Sequence, residues 1–195
     1  MRPIVLLGIL VFMLIGLFWG CGTYNTFVKK EVKVEEVWGN VQNAYQRRAD
    51  LIPSLVETVK GQANFERSTL ESVVQARAQA TAVNVDAGDL TPEKLAQFQQ
   101  AQSQLSGSLS RLLLTVEKYP ELRANEGFMQ LQAQLEGTEN RIKVARDNFN
   151  KAVSDYNVAV RQMPSAFVAS ITGFEAKGMF EAEAGSDKAP KVNFD

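Results

Sequence analysis

Residues 125–163, NEGFMQLQAQLEGTENRIKVARDNFNKAVSDYNVAVRQM, carry the strongest structural signal in the chain. Side chains suited to a core recur there at intervals of three and four positions, so they line one side of a helix. These positions are Phe128, Leu131, Leu135, Thr138, Ile142, Ala145, Phe149, Ala152, Tyr156, Ala159 and Met163. Pro164 ends the pattern. The stretch predicts an amphipathic helix over about residues 125–163 that packs lengthwise against other helices.

Three earlier segments show the same helical spacing. We expect helices at about 24–49, 53–83 and 92–119, the second beginning at Pro53, because the first turn of a helix tolerates proline. Thr91 precedes the third helix as a typical N-cap, whose hydroxyl accepts a bond from a free backbone N–H group. The connections are short, so successive helices should lie antiparallel. Residues 24–164 are therefore predicted to form an all-α, up-down-up-down, antiparallel four-helix bundle.

Residues 1–23 are strongly apolar and form a segment of a different kind. Their composition predicts a single transmembrane anchor. The alternative is a lipoprotein-type signal segment that is cleaved before Cys21, whose thiol then carries the lipid. Gly20 fits such a cleavage site, because a small residue is needed there. Phe18 and Trp19 fit it poorly, so the uncleaved anchor is favoured.

Residues 165–195 change character again. They contain large apolar side chains, but their glycines and proline prevent a long helix. The apolar residues are Phe167, Ile171, Phe174, Met179, Phe180 and Phe194. We predict an apolar C-terminal tail that is partly packed on the bundle, since so many phenylalanines are unfavourable in water. The alternative is a docking or membrane-interface patch.

The chain offers few reactive side chains. It has no histidine and one cysteine, which removes the commonest acid–base catalyst and any thiol cluster within one chain. Its 21 Lys and Arg residues balance 22 Asp and Glu residues without a basic block, so no nucleic-acid partner is expected. Carboxylate-bridged metal sites in helical bundles also need histidine. We therefore predict a protein that is not an enzyme, with no catalytic residue, no metal site and no cofactor.

Four polar residues form one candidate pocket inside the predicted bundle. They are Glu57, Thr138, Glu139 and Arg141. Thr138 occupies a core-facing position among apolar neighbours, which favours a small polar site there. The structural alternative is that its hydroxyl bonds a backbone carbonyl one turn back and that interior polar groups only fix the helix register.

Two further polar features are expected to be structural. Arg47, Arg48 and Asp50 stand at the end of the predicted first helix and should satisfy its turn rather than bind a ligand. The glutamine-rich segment 97–104 should form a solvated helix face, with association between molecules as the alternative. Gln102 is the exception, because it lies on the apolar face itself.

Several motifs resemble those of the bacterial LemA family. The most specific is QRRADLIPSLVETVKG at residues 46–61, accompanied by VEEVWGNVQ at 34–42, YPELRAN at 119–125, LEGTENRI at 135–142 and KAPKV at 188–192. The resemblance runs from about Tyr24 to the C-terminus. It implies a membrane-anchored antiparallel helical bundle of the cell envelope, without an assigned enzymatic activity and without catalytic residues to carry over. Cys21 departs from many members and keeps the lipid-attachment alternative open.

Two functions compete. The first is a non-enzymatic interaction or scaffold module whose long amphipathic helices bind another envelope protein or a second copy of the chain. The second is a small-ligand-binding or carboxylate-dependent activity that uses the pocket of Glu57, Thr138, Glu139 and Arg141. We expect a bacterial cell membrane location with a single-pass anchor, or lipid anchoring through Cys21. Arg2 and the amino terminus favour an extracytoplasmic domain, whereas Lys29, Lys30 and Lys33 argue the opposite way, because the positive-inside rule counts cations. Cleavage before Cys21 would place the domain outside, and an uncleaved anchor leaves the side open. The extracytoplasmic side is favoured for the soluble domain.

Overall fold

A computed structural model describes residues 3–61 and 65–182, with their side chains from residue 7 onward. These residues form six helices and no strand. The helices are α1 (Pro3–Lys60), α2 (Arg67–Ala82), α3 (Pro92–Val116), α4 (Pro120–Arg123), α5 (Glu126–Arg161) and α6 (Ser165–Thr172). The predicted all-helical fold is confirmed for this part of the chain.

The first helix, α1, is one rod of 58 residues, about 87 Å long at 1.5 Å per residue. Its N-terminal part is exposed and is long and apolar enough to cross a membrane. From Phe27 onward, α1 packs against the rest of the chain. The apolar anchor and the first helix of the folded domain are therefore continuous.

The predicted helix break before Pro53 is wrong. The helix α1 continues through Pro53 to Lys60, so the helix predicted over 53–83 is divided between α1 and α2. A proline inside a helix leaves the carbonyl four residues earlier without its N–H donor. That carbonyl belongs to Ala49, and Nε of Arg77 in α2 donates to it at 2.7 Å. A side chain from the neighbouring helix replaces the missing backbone bond.

The helix α3 begins with the expected cap, and α5 begins with a second cap of the same kind. Thr91 Oγ1 accepts from the N–H of Lys94 at 3.4 Å, and Pro92 is the first residue of α3. Asn125 Oδ1 accepts from the N–H of Phe128 at 3.0 Å, at the start of α5. The predicted loop between these helices contains the single helical turn α4.

Contacts along the helices show how they run. Trp38 of α1 contacts Phe149 of α5, and further along α1, Arg48 contacts Glu139, so these two helices are antiparallel. The helix α2 packs on both α1 and α3. The complete up-down-up-down four-helix topology stays a prediction.

The interior contains two apolar clusters, one after the other along the helices. The first cluster surrounds the fully buried Trp38 and includes Phe27, Val34, Val41, Phe98, Phe149, Tyr156 and Phe180. The second cluster includes Ile52, Leu55, Val73, Leu105, Leu112, Phe128 and Leu135. Polar side chains separate the two clusters, and they are described below.

The chain after α6 folds back along the domain in an extended conformation. Phe180 inserts into the first cluster and is buried there. The side-chain amides of Asn150 and Asn157 on α5 each bond a backbone N–H and a backbone carbonyl of this segment, all at 2.9 Å. Gly178 lies so close to α3 that a Cβ there would approach the backbone of Pro92 to 2.9 Å. The segment is therefore held on the domain by hydrogen bonds between its backbone and the two asparagine side chains of α5.

Other apolar residues of the tail are not packed in this way. Phe167 and Ile171 of α6 are exposed, and Met179 is partly exposed. Phe194 lies outside the described residues. The tail therefore has a packed part and an exposed apolar part.

A buried phenol joins α5 to the returning tail. Tyr156 donates to the carbonyl of Glu175 at 3.0 Å, and its ring lies 5.4 Å from Nζ of Lys177. Burial, together with the nearby negative charges of Glu31 and Glu175, raises the pKa of the Tyr156 hydroxyl to about 12. The phenol is consequently a neutral donor over the whole physiological range.

Arg77→Met should lower the free energy of unfolding by about 1–3 kcal/mol, because the buried Ala49 carbonyl loses its donor. Pro53→Ala supplies a backbone N–H at the correct place. The cost of Arg77→Met should therefore fall by about 1 kcal/mol or more in the Pro53→Ala background. Chemical denaturation in detergent, followed by circular dichroism, measures this difference for the unsubstituted protein, the two single variants and the double variant. An equal cost in both backgrounds would contradict the proposed compensation.

The raised pKa of Tyr156 predicts a loss of stability at alkaline pH. The folded state holds this proton more tightly than the unfolded state, whose tyrosine titrates near pH 10. The extra stability is complete below about pH 10 and falls as pH rises towards 12. Tyr156→Phe should remove that part of the pH dependence, while costing about 1 kcal/mol at neutral pH through the lost hydrogen bond. Unfolding midpoints measured across the alkaline range test this. Parallel curves for the two proteins would disprove it.

Candidate polar site around Arg48

Arg48 lies on α1 inside the helical domain, with only 1% of its surface exposed. Its guanidinium reaches across to α3 and α5. Nη1 donates to Ser106 Oγ at 2.6 Å and to Glu139 Oε1 at 2.9 Å. Nη2 donates to Gln102, at 2.6 Å to the side-chain oxygen and at 3.2 Å to the backbone carbonyl. A buried charge of this kind is stable only when it is paired and hydrogen-bonded.

The network continues to α2, because Gln102 Nε2 donates to the carbonyl of Ala80 at 3.2 Å. One polar layer therefore links α1, α2, α3 and α5. It lies between the two apolar clusters, since Arg48 stands between Tyr45 of the first cluster and Ile52 of the second. We call Arg48, Gln102, Ser106, Thr138 and Glu139 the polar layer.

The charges of the polar layer are unequally buried. The Arg48 side chain is 1% exposed, whereas that of Glu139 is 48% exposed, so the carboxylate keeps contact with water. The guanidinium carbon of Arg48 lies 5.1 Å from the ring centre of Tyr45, within the range of a cation–π contact. Arg48 Nε is buried and has no hydrogen-bond partner within the described part of the chain. The layer thus contains a permanent positive charge with one unused donor.

Tyr45 also belongs to the surroundings of this charge. Burial raises the pKa of its hydroxyl, and this is opposed by the positive charges of Arg146 and Arg48. The phenol therefore remains protonated at neutral pH. Together, the guanidinium and the phenol can donate hydrogen bonds and stabilise negative charge, but neither can exchange a proton near neutral pH.

A cleft of about 400 Å³ opens beside the polar layer. Tyr45, Ala49 and Gln102 line it together with several amides and a hydroxyl, from Gln42, Asn43, Gln46, Thr81 and Asn84. Amide groups both donate and accept hydrogen bonds. The cleft is therefore suited to a small, polar, uncharged group.

The structure separates the four residues of the predicted pocket. Thr138 is buried in the polar layer, but its hydroxyl donates to a carbonyl one turn back at 2.7 Å. Glu139 is beside it and pairs with Arg48. Arg141 is exposed and lines a groove between α1 and α5. Glu57 is exposed on α1, about 14 Å along the helix axis from Arg48. Thr138 and Glu139 thus share a site, which Glu57 and Arg141 do not join.

Arg48 is the central residue of the site, and the expectation that it satisfies a turn is wrong. No turn exists at this position, because α1 is continuous there. Its spacing contained a usable signal. Val41, Tyr45, Arg48, Ile52 and Leu55 follow one another by three and four positions, so Arg48 occupies a core position.

The proposed lipid-attachment residue lies outside the polar layer. Cys21 is exposed on the apolar part of α1, near Trp19 and Tyr24. Lipid attachment at this thiol stays a prediction. Across residues 3–61 and 65–182, no three His, Cys, Asp or Glu side chains are gathered as ligands of a metal ion.

Comparison with known proteins gives one family and several relatives. The LemA family profile matches residues 37–194. The chain is 26% identical over 185 residues to "Magnetosome protein MamQ 2" of Paramagnetospirillum magneticum, which covers 84% of this chain and 66% of that protein. It is 26% identical over 152 residues to "Protein LemA" of Metamycoplasma hominis, which covers 76% of this chain and 66% of that protein. The chain therefore matches just under two thirds of the length of these curated relatives.

Glu139→Ala should lower the free energy of unfolding by about 1–3 kcal/mol, because it leaves the buried guanidinium of Arg48 without its counter-charge. Arg48→Met removes that charge and fills a similar volume. The double variant Arg48→Met/Glu139→Ala should therefore be more stable than Glu139→Ala alone. Chemical denaturation of all three variants measures the coupling.

Glu136→Ala is the matched control for this cycle, because Glu136 lies one turn earlier on the exposed side of α5. Its cost should stay within about 0.5 kcal/mol. Costs for Glu139→Ala and Glu136→Ala that do not differ would mean that the Arg48–Glu139 pair contributes little to the fold.

Proposed function

The chain belongs to the LemA family, and from this premise we propose that it is a non-enzymatic, membrane-anchored interaction or scaffold module of the bacterial cell envelope. The observation that carries the proposal is that the polar side chains of the interior form hydrogen bonds within the domain. The buried polar groups Arg48, Gln102 and Thr138 bond to one another or to neighbouring helices and backbone. Such groups hold the domain together and leave its outer surface for recognition.

The best candidate for a recognition surface is the groove between α1 and α5. It has a volume of about 850 Å³ and is lined by amides, charges and apolar side chains, among them Asn40, Arg47, Asp50, Leu51, Asn140, Arg141, Val144 and Asn148. Val144 is 52% exposed there. A mixed surface of this composition is typical of interfaces between proteins that also exist separately. Another envelope protein or a second copy of the chain is the proposed partner.

The rigidity of α1 supports a scaffold role. One uninterrupted helix joins the apolar anchor to the folded domain, so the groove is held at a constant distance from the membrane. We propose that the domain is an antiparallel four-helix bundle of α1, α2, α3 and α5. Long helices in this arrangement offer an extended face to a partner.

The location completes the proposal. We place the domain on the extracytoplasmic side of the cell membrane, with the apolar part of α1 as a single-pass anchor. Cleavage before Cys21 and lipid attachment to its thiol form the alternative mode of anchoring. Mass spectrometry of the intact protein from membranes distinguishes the two, because only cleavage removes the residues before Cys21.

Cross-linking in native membranes tests the scaffold role. Val144→Glu places a charge in the groove and should reduce the yield of the cross-linked partner about tenfold or more, equivalent to about 1.4 kcal/mol of binding. Val158→Glu is the matched control, because Val158 lies on the same helix and is 56% exposed but does not line the groove. Equal yields for the two variants would exclude this groove as the binding surface.

A second function is favoured by one observation, the amide-lined cleft beside the polar layer, which Tyr45 and Gln102 line. In this alternative the chain binds a small polar ligand. Asn84→Leu, in the cleft, should then abolish binding of the ligand while leaving the unfolding midpoint unchanged. Glu57→Gln and Arg141→Gln test the pocket that the sequence predicts. If the chain is a scaffold, they should change the yield of the cross-linked partner little.

A further inference from the structure

The helix α6 lies within an uncharged stretch of the chain. No charged residue occurs between Arg161 and Glu175. Within this stretch α6 turns Ser165 and Ala169 towards the domain, where both are buried. Its opposite side carries Phe167 and Ile171, which are 65% and 69% exposed. Two large apolar side chains one turn apart are thus presented outward by a helix that has no charge.

This outward side faces the apolar part of α1. A groove of about 1120 Å³ lies between the two helices, lined from α1 by Ile9, Phe12, Met13, Gly16, Leu17, Trp19, Gly20, Cys21, Tyr24 and Asn25. Phe167, Val168, Ile171 and Thr172 line it from α6. The helix α6 therefore lies beside the segment that is apolar enough to cross a membrane.

The chain returns to the domain immediately after α6. Gly173 has φ 78°, a left-handed conformation that favours glycine, and it ends the helix. The next residue, Phe174, contacts Tyr24 at 5.5 Å and Phe27 at 5.2 Å between ring centres. Trp19 and Tyr24 are residues of the kind that mark the membrane–water boundary. The segment from the end of α5 to Phe174 thus passes beside Trp19 and Tyr24 and then returns to the domain.

The three side-chain hydroxyls of α6 all have hydrogen-bond partners within the chain. Ser165 Oγ lies 2.7 Å from the carbonyl of Ala159, and Ser170 Oγ donates to the carbonyl of Phe167 at 2.9 Å. Thr172 Oγ1 donates to the carbonyl of Val168 at 2.7 Å. A segment that leaves water must satisfy its hydroxyls and backbone internally. These bonds allow α6 to enter the apolar edge of a bilayer without an unpaired polar side chain.

We propose that α6 is a second membrane contact, inserted into the boundary between lipid headgroups and acyl chains beside the anchor. Phe167 and Ile171 enter the acyl region, and phospholipid acyl chains fill the groove between α6 and α1. The proposal rests on the membrane anchoring in the proposed function and adds a site to it.

Lipid is the occupant that the surroundings favour. The groove continues the lipid-facing surface of the anchor without interruption and contains no charged side chain. Arg161 and Glu175 bound the uncharged stretch, and Lys177 beyond it pairs with Glu31 at 3.0 Å. Apolar side chains of an interfacial helix insert at the boundary between headgroups and acyl chains.

Membrane contacts through both α1 and α6 would fix the orientation of the domain, which α1 alone leaves free. A single membrane span can rotate about its own axis. With α6 inserted on one side of α1, the domain keeps one inclination and one side towards the membrane. The recognition groove between α1 and α5 is then presented in a defined direction.

Photolabelling of the full-length chain in phosphatidylcholine vesicles tests the proposal. The probe is a phosphatidylcholine with a photoactivatable group in its acyl chain, followed by trypsin digestion and mass spectrometry. Cleavage after Lys29, Arg161 and Lys177 gives an anchor peptide, residues 1–29, and an α6 peptide, residues 162–177, because trypsin does not cleave the Arg2–Pro3 bond. Residues 68–77, from α2, form the control peptide.

The α6 peptide should be labelled within a factor of three or so of the anchor peptide, and at least tenfold more than the control peptide. Labelling of the anchor peptide alone would overturn the proposal and leave the membrane anchor intact. Labelling of neither peptide would overturn both. A second copy of the chain that covers the groove would shield the α6 peptide from the probe, and the resulting labelling of the anchor peptide alone would also overturn the proposal.

Matched variants identify the side chains responsible. The double substitution Phe167→Asp/Ile171→Asp should reduce labelling of the α6 peptide fivefold or more and leave the anchor peptide unchanged. Val158→Asp adds a charge at another exposed apolar position and should change neither peptide. Circular dichroism confirms that each variant is folded. Unchanged labelling of α6 in the folded double variant would overturn the assignment of Phe167 and Ile171.

Discussion

The buried guanidinium of Arg48 is the constraint on which the helical domain depends. A charge that is removed from water is costly, and here the cost is offset by Glu139, Gln102 and Ser106 on two other helices. These partners meet only when the helices have one particular alignment. The apolar clusters on either side would tolerate small shifts along the helix axes, because apolar contacts are not directional. The polar layer therefore supplies the register and the clusters supply most of the stability.

The continuity of α1 follows from a second long-range bond. Pro53 would end many helices, but here the freed carbonyl of Ala49 accepts from Arg77 of α2. The result is a single rod that begins in an apolar segment and ends beyond the polar layer. The apolar segment and the domain are therefore joined by a continuous helix and not by a loop. Such a connection is consistent with the proposed scaffold role.

The end of the chain divides its apolar residues between two environments. Phe180 packs among the rings of the first cluster, and Phe174 packs on α1. Phe167 and Ile171 point the other way, beside the apolar segment of α1. The left-handed turn at Gly173 separates the two sets. One segment can thus pack on the domain and contact lipid, because α6 and the chain that follows it turn their apolar residues in different directions.

The sequence alone determined the helical class, the apolar anchor, the cap at Thr91 and the family resemblance. Each depends on neighbouring residues, which set periodicity and capping locally. Tertiary structure decided the rest. It placed Arg48 in the core rather than in a turn, carried α1 through Pro53, and kept Glu57 and Arg141 away from Thr138 and Glu139. Those outcomes depend on which distant groups approach one another, such as Arg77 at Ala49, and local spacing contains no record of such partners.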